Sequence, residues 1–381
     1  MHKYLPKGGL LLLLSLSFST LFAHNNKDIT IILKHNSTVA QRGYIASIAW
    51  KEILKKYPSF DTSNFKVVSQ TSKKEVVFQL EYLGKSQPQN ILLQVDLVPG
   101  KTEKYIIKHS LHSYFVPQTF CRYVPERKDD FAWENDKIAF RVYGKALEGT
   151  KENAHGIDVW VKRTSRLVIN EWYKNGDYHN DHGDGVDYYH VGLTLGAGNI
   201  APYINDSIYF PKNYTTWKIL DNGPLRSAFE LIYEPWSVAG SALSMTKKIS
   251  IDAGSQLSRI DVNFTSTALD SLPVVVGIIR RAGEGDIHFE KAKGIVAYWE
   301  PVDAKFGTTG VGCVFSDPVL SMLTTEEHLL TQLTLKTNRT FSYSTGAAWD
   351  RAKEITTAQA WYQYLNMYKK KLNTKVYAVI Q

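Results

Sequence analysis

Residues 171–190 read EWYKNGDYHNDHGDGVDYYH and hold three histidines, four aspartates, one glutamate and four tyrosines. Apolar periodicity stops here, and groups that move protons or bind cations take its place. His179 and His182 stand three apart among Asp177, Asp181, Asp184 and Asp187. A histidine beside a carboxylate can act as a general base. If a loop turns both imidazoles inward, His179 and His182 could instead bind a divalent metal. The aspartate spacing does not match an EF-hand loop. Tyr188 and Tyr189 are candidate acids. The structural alternative is a polar turn whose Asp and Asn side chains cap their own backbone.

Cations lie outside this stretch. Arg122, Arg127, Asp129, Asp130, Trp133 and Glu134 form one charged, aromatic group. An arginine there can grip a carboxylate or sulfate with two parallel hydrogen bonds, and Trp133 could stack on a sugar ring. Arg280 and Arg281 leave a buried apolar run and are followed by Glu284 and His288. They read as an anion site at the mouth of a sandwich. For the first group the alternative is a surface ion-pair network; for the second it is that one arginine points to solvent and the other pairs structurally. Asp158 and Lys162 read as a structural pair on one strand face. The sequence holds no GxSxG, HExxH, P-loop or CxxC pattern, which sets aside the common serine hydrolase, zincin, NTPase and redox classes. Residues 191–198, VGLTLGAG, contain GxG without GxxG and no clear helix after it, so a dinucleotide fold is a poor reading.

The elements that must position these groups are mostly strands. Short alternating runs recur with turn signals between them from residue 119 to residue 344. This predicts a mainly β fold, a large antiparallel β-sandwich. Residues 24–115 read as a small N-terminal β region and 116–381 as the catalytic sandwich. Within the first, apolar spacing over 40–57 predicts a helix stopped by Pro58. Residues 358–372, AQAWYQYLNMYKKKL, predict a C-terminal helix with Trp361, Tyr364, Leu365 and Tyr368 on one face. The polar stretch 171–190 reads as a long functional loop on this scaffold.

The chain starts with Lys3 and Lys7, then the apolar run 10–23, LLLLLSLSFSTLFA. That pattern predicts a signal peptide cleaved after Ala23, export to the periplasm and no membrane span afterwards. The formal charge of +8 falls to +6 when Lys3 and Lys7 leave. A modest positive charge spread along the chain is not a nucleic-acid signature and suits an anionic substrate. With 22 Tyr, 16 Phe and 9 Trp, faces for sugar rings are plentiful. Cys121 and Cys313 are the only cysteines, and the sequence leaves open whether they pair.

Three blocks carry a resemblance: DDFAWEN at 129–135, IDVWVKR at 157–163, and YHNDHGDG at 178–185 followed by DYYH at 187–190. Together they resemble a Bacteroidota family encoded among polysaccharide-degradation genes, over nearly the whole mature chain. The resemblance implies a galactose-mutarotase-like supersandwich. It also implies, for an ulvan-degrading branch, an oligosaccharide dehydratase that leaves a 4,5-unsaturated uronic acid. It carries no residue roles; those follow from the chemistry. Removing the C5 proton, α to a carboxylate, requires that carboxylate to be neutralised by arginine or a metal. Arg127, Arg280 and Arg281 are the cations available, His179 and His182 the bases, and Tyr188 or Tyr189 the acid. The expectation is an exported carbon–oxygen lyase on acidic oligosaccharides. A polysaccharide lyase would use the same groups. A glycoside hydrolase would pair Glu134 with Asp181 or Asp184. The remaining alternative is a non-catalytic carbohydrate-binding protein.

Overall fold

The computed structural model describes residues 28–60 and 62–381; the expected signal peptide lies outside them. The described chain is mainly antiparallel β, as the alternating runs predict. No described helix is long and apolar enough to cross a membrane.

An eight-stranded sheet forms one layer of the main body, and two five-stranded sheets face it. The first five-stranded sheet contains Thr119–Val124, Asp130–Asn135, Ile138–Val142, Asp158–Lys162 and Gly185–Val186. The second is built around Ala197–Ile204, Ser271–Ile279 and His328–Lys336. A parallel bridge between Ile157 and Gly196 joins the two. One continuous apolar core fills the space between the layers, with Phe131, Phe140, Val159, Ile200, Val276, Phe229, Ile260 and Val311 among its members. Strand alternation supplies it: along Ser241–Asp252 nearly every second residue is buried. Cys121 and Cys313 are both free and buried in this core.

The N-terminal part is a second, smaller sandwich of a four-stranded and a three-stranded sheet with its own core. The chain's last strand, Val376–Ile380, returns to pair with Ile29–His35. The helix expected over 40–57 is instead the strand Gln41–Ala49 and a single turn, Trp50–Leu54. A bulge between Gln41 and Tyr44, with Gly43 at φ +57°, shifts the phase of the alternation. Buried positions then fall at 41, 45, 46 and 48, which imitates helical spacing.

The C-terminal helix is present as Ala358–Leu372, with the Thr357 hydroxyl accepting from the Ala360 amide at its start. Trp361 and Leu365 are buried against Ile295–Trp299 and Thr309–Phe315. Gly312 makes this contact close: a Cβ there would stand 2.6 Å from Leu365 Cδ1.

Candidate active site

The first five-stranded sheet sorts its residues by parity. Phe131, Trp133, Phe140, Val142, Val159 and Val161 face the core. Asp130, Ala132, Glu134, Ala139, Arg141, Asp158, Trp160 and Lys162 face the other way. All of these are buried as well, because the helix Ile169–Asn175 and the loop after it cover that face. The first five residues of the stretch expected to be loop are therefore helix. Trp172 packs on Trp160 with ring centroids 5.5 Å apart. The helix start has no local side-chain cap. The Glu134 carboxylate on the neighbouring strand accepts from the Val168 and Ile169 amides at 2.9 and 2.8 Å, and Lys162 Nζ donates to it at 2.6 Å.

This changes two expectations. Glu134 is fully buried and committed to Lys162 and the helix start, so it cannot approach a sugar or a glycosidic bond. Trp133 is 1% exposed, donates from Nε1 to Ser258 Oγ at 2.8 Å, and packs on Phe140 and Phe229, leaving no face for a sugar ring. Lys162 pairs with Glu134 rather than Asp158, since residues four apart on a strand lie too far from each other.

Asp158 belongs to a second buried cluster, centred on Arg141. Arg141 lies directly across the sheet from Asp158 and donates to it from Nε at 2.9 Å. Its Nη2 also donates to Asp187 at 2.9 Å, and its Nη1 lies 3.6 Å from Asp130. Tyr143 donates to Asp158 and Tyr173 to Asp130. The guanidinium sits over the rings of Tyr143 and Trp160 at 5.1 and 5.2 Å. Three carboxylates around one cation do not all ionise easily. Burial pushes Asp130 up to about 7 against the pull of Arg141 and Arg127. Burial, then the charge of Asp158, holds Asp187 well above the usual carboxylate range.

Asp187 links this cluster to the surface loop. Its amide donates to the Tyr178 carbonyl at 2.8 Å, and its own carbonyl lies 2.8 Å from His179 Nδ1. A carbonyl oxygen only accepts, so Nδ1 carries a proton and the neutral ring keeps its lone pair on Nε2. His179 is 62% exposed, so that lone pair is open to a ligand. Arg127 stands beside Tyr178 and Asp130 and binds Glu152 at 3.0 Å.

His182 is placed differently. Its Nε2 pairs with Asp177 at 2.9 Å, and both are well exposed. It lines a cavity of about 310 Å³ with Trp172, Tyr178 and Asn180. Among the described residues no group of three or more His, Cys, Asp or Glu is arranged to hold a metal ion. Asp181 is bonded to Arg163 and Asp184 to Arg166.

The end of the stretch reaches a third cluster. Tyr188 shares a 2.5 Å hydrogen bond with the Thr309 hydroxyl, stacks on Phe306 and is raised chiefly by burial, so it keeps its proton. Arg281 lies over the Tyr189 ring at 4.3 Å and donates from Nη1 to the His190 carbonyl at 2.6 Å. Its Nε donates to Glu300 at 3.1 Å, and burial pushes Glu300 up to about 7. The Tyr189 hydroxyl is buried without a partner among the described residues. Arg280, in contrast, points to solvent with only a 3.5 Å approach to the Thr325 carbonyl. Of the two adjacent arginines, Arg281 is the one that contacts the 171–190 stretch. His179 and Tyr188 lie on the 171–190 stretch, Arg127 stands beside its Tyr178 and Arg281 over its Tyr189, whereas Trp133 and Glu134 are buried in the sheet and Arg280 is exposed. Arg141 and Glu300 were missed as site residues. For Arg141 the signal was a lone charge inside the apolar strand IAFRV.

The described fold is similar to that of a protein in glycosyl hydrolase family 38 from Enterococcus faecalis, with a TM-score of 0.51 and 10% identity over 92% of this chain and 47% of that one. An α-mannosidase from E. faecalis V583 matches at a TM-score of 0.48 and 9% identity, over 92% of this chain and 46% of that one. The chain thus spans about half the length of these solved structures. By sequence it is similar to uncharacterized protein P7 of Formosa agariphila, 33% identical over 356 residues, covering 88% of this chain and 84% of that protein. The model of a domain of unknown function, DUF4861, matches residues 33–377. The chain therefore belongs to the DUF4861 family.

Proposed function

We propose that the protein is an exported dehydratase, a carbon–oxygen lyase that removes water from the non-reducing-end uronic acid of acidic oligosaccharides. The observation that carries this reading is the hydrogen bond from His179 Nδ1 to the Asp187 carbonyl, which leaves an exposed Nε2 as an acceptor. Arginines bound to the same stretch, Arg127 beside Tyr178 and Arg281 over Tyr189, supply the positive charge that a uronate carboxylate needs. The shared fold with a family 38 glycosyl hydrolase protein supports a glycan as substrate. The sequence blocks at 129–135, 157–163 and 178–190 support ulvan-derived fragments, and the basic, apolar start of the chain supports work in the periplasm.

In this reading His179 Nε2 takes the C5 proton, and the electron pair of that bond becomes the second bond between C4 and C5. The C4–O bond breaks, and the 4-hydroxyl leaves as water with the proton of Tyr188. Solvent returns a proton to Tyr188 and removes one from His179, so the balance is one substrate giving one unsaturated sugar and one water. Burial raises Tyr188, so its hydroxyl holds the proton until the departing 4-oxygen draws it away.

Ultraviolet absorbance on a substrate panel tests the proposal. Oligosaccharides ending in a uronic acid should give a rise in absorbance, and neutral oligosaccharides none. A flat trace with every uronic acid, or release of a saturated monosaccharide, would sink the reading. Cleavage of internal bonds with an absorbance rise would assign the same groups to a chain-cleaving lyase.

A further inference from the structure

A cavity of about 450 Å³ opens between the N-terminal sandwich, the eight-stranded sheet and the end of the C-terminal helix. It shares no lining residue with the 171–190 stretch. Its volume is that of a small-molecule site. Two arginines in it are already matched. Arg226 donates to Asp252 from Nε at 2.6 Å and Nη2 at 3.0 Å, and from Nη1 to Glu81 at 3.0 Å. Arg259 donates to Asp261 at 2.8 Å.

Two lysines are not matched. Lys248, from the strand Ser241–Asp252, and Lys371, from the last turn of the helix Ala358–Leu372, both line the cavity. Neither has a carboxylate within ion-pair distance among the described residues. The Lys371 ammonium instead sits over the Tyr44 ring at 5.6 Å. An ammonium in a recess without a counter-charge is costly to keep ionised. Burial accordingly lowers Lys371 from its ordinary value, more than the nearby Asp252 raises it. The three carboxylates of the cavity are spent on the arginines, so the charge left over is positive.

We infer that this interdomain cavity is a binding site for an anionic group, with Lys248 and Lys371 as its cations and the Tyr44 ring as its wall. The sulfate or carboxylate of an acidic sugar is the ligand class that fits, and naming a sugar rests on the function proposed above. The anion site does not. Bound anion supplies the counter-charge that Lys248 and Lys371 lack.

Inorganic sulfate is the probe, followed by calorimetry at constant ionic strength against chloride. The full mature chain should bind sulfate saturably, and Lys371→Met or Lys248→Met should weaken it about tenfold, the effect of losing ~1.4 kcal/mol. Lys371→Arg should retain binding, which separates charge from folding. His179→Ala should bind sulfate as wild type does. No saturable binding by the wild-type chain, unchanged affinity in both Met variants, or loss of binding in His179→Ala would each overturn the inference. Failure to dehydrate any sugar would leave these sulfate results standing and count only against the proposed activity.

Discussion

His179 and Asp187 are joined at 2.8 Å, imidazole Nδ1 to backbone carbonyl, while the Asp187 carboxylate is held from below by Arg141. One residue thus sets the tautomer of an exposed histidine and anchors it to a buried ion cluster. The other histidine of the pair has no such support, since His182 meets only the exposed Asp177. Fixing a ring through its second nitrogen is what a general base requires.

The two histidines should therefore differ under substitution. His179→Ala is expected to lower kcat on a uronic-acid-terminated oligosaccharide by about 10²–10⁴-fold, the usual share of a general base. His182→Ala is expected to stay within about tenfold, because an exposed pair contributes little. Steady-state kinetics of the two variants, with circular dichroism to confirm folding, make the comparison. Equal losses would show that the Asp187 contact does not select the base.

Arg141 is expected to matter first for stability. Arg141→Met leaves Asp130, Asp158 and Asp187 buried without their cation, which should cost about 3–5 kcal/mol. Urea denaturation of the variant measures it. The loss should be smaller at low pH, where protonated carboxylates no longer need the arginine. A pH-independent loss would place the contribution in packing alone.

Glu300 gives a second pH test. Its folded pKa, about 7, lies above the ordinary 4.5. The stability tied to its protonated form is full below about 4.5 and is lost as pH rises through 7. Glu300→Gln keeps the shape and removes the titration. Relative to wild type, the variant should gain stability as pH rises from 4.5 to 7, by at most about 1.4 kcal/mol per pH unit. Melting temperatures of both proteins across that range decide it, and parallel curves would contradict the shift.

Lys247 has the opposite sign. It is 2% exposed between the sandwich layers, donates to Asn199 Oδ1 and sits over the Tyr233 ring at 4.9 Å. Burial lowers it from 10.5 to about 7. A depressed lysine favours the fold fully above pH 10.5 and loses that advantage as pH falls to 7. Lys247→Met should raise the melting temperature most at pH 6–7, with the gain shrinking towards pH 10. A gain that does not change with pH would show that the amine is not the cause.

Much of the fold was legible because strand alternation is local: the run KKISI at 247–251 announces its buried face by parity. The strand Gln41–Ala49 was not, because its bulge broke that parity. The helix Ile169–Asn175 escaped for another reason. Its start is capped by Glu134, thirty-five positions before Ile169, so no capping residue stands beside it in sequence. The site was legible in part. The density of His, Asp and Tyr marked 171–190, but the cations that meet it, Arg141 at Asp187 and Arg281 at Tyr189, come from elsewhere in the chain. Trp133 and Glu134 misled because side-chain type says nothing about which face of a sheet turns inward. The same ambiguity hid Arg141, whose cluster forms only when three strands and the loop meet.

Product mass spectrometry with wild type and His179→Ala, on one uronic-acid-terminated oligosaccharide, tests the central claim most directly. The account predicts a wild-type product lighter than the substrate by one water, and unchanged substrate with a folded His179→Ala protein. A wild-type product of unchanged or increased mass, or the same loss of water from the variant, would contradict it.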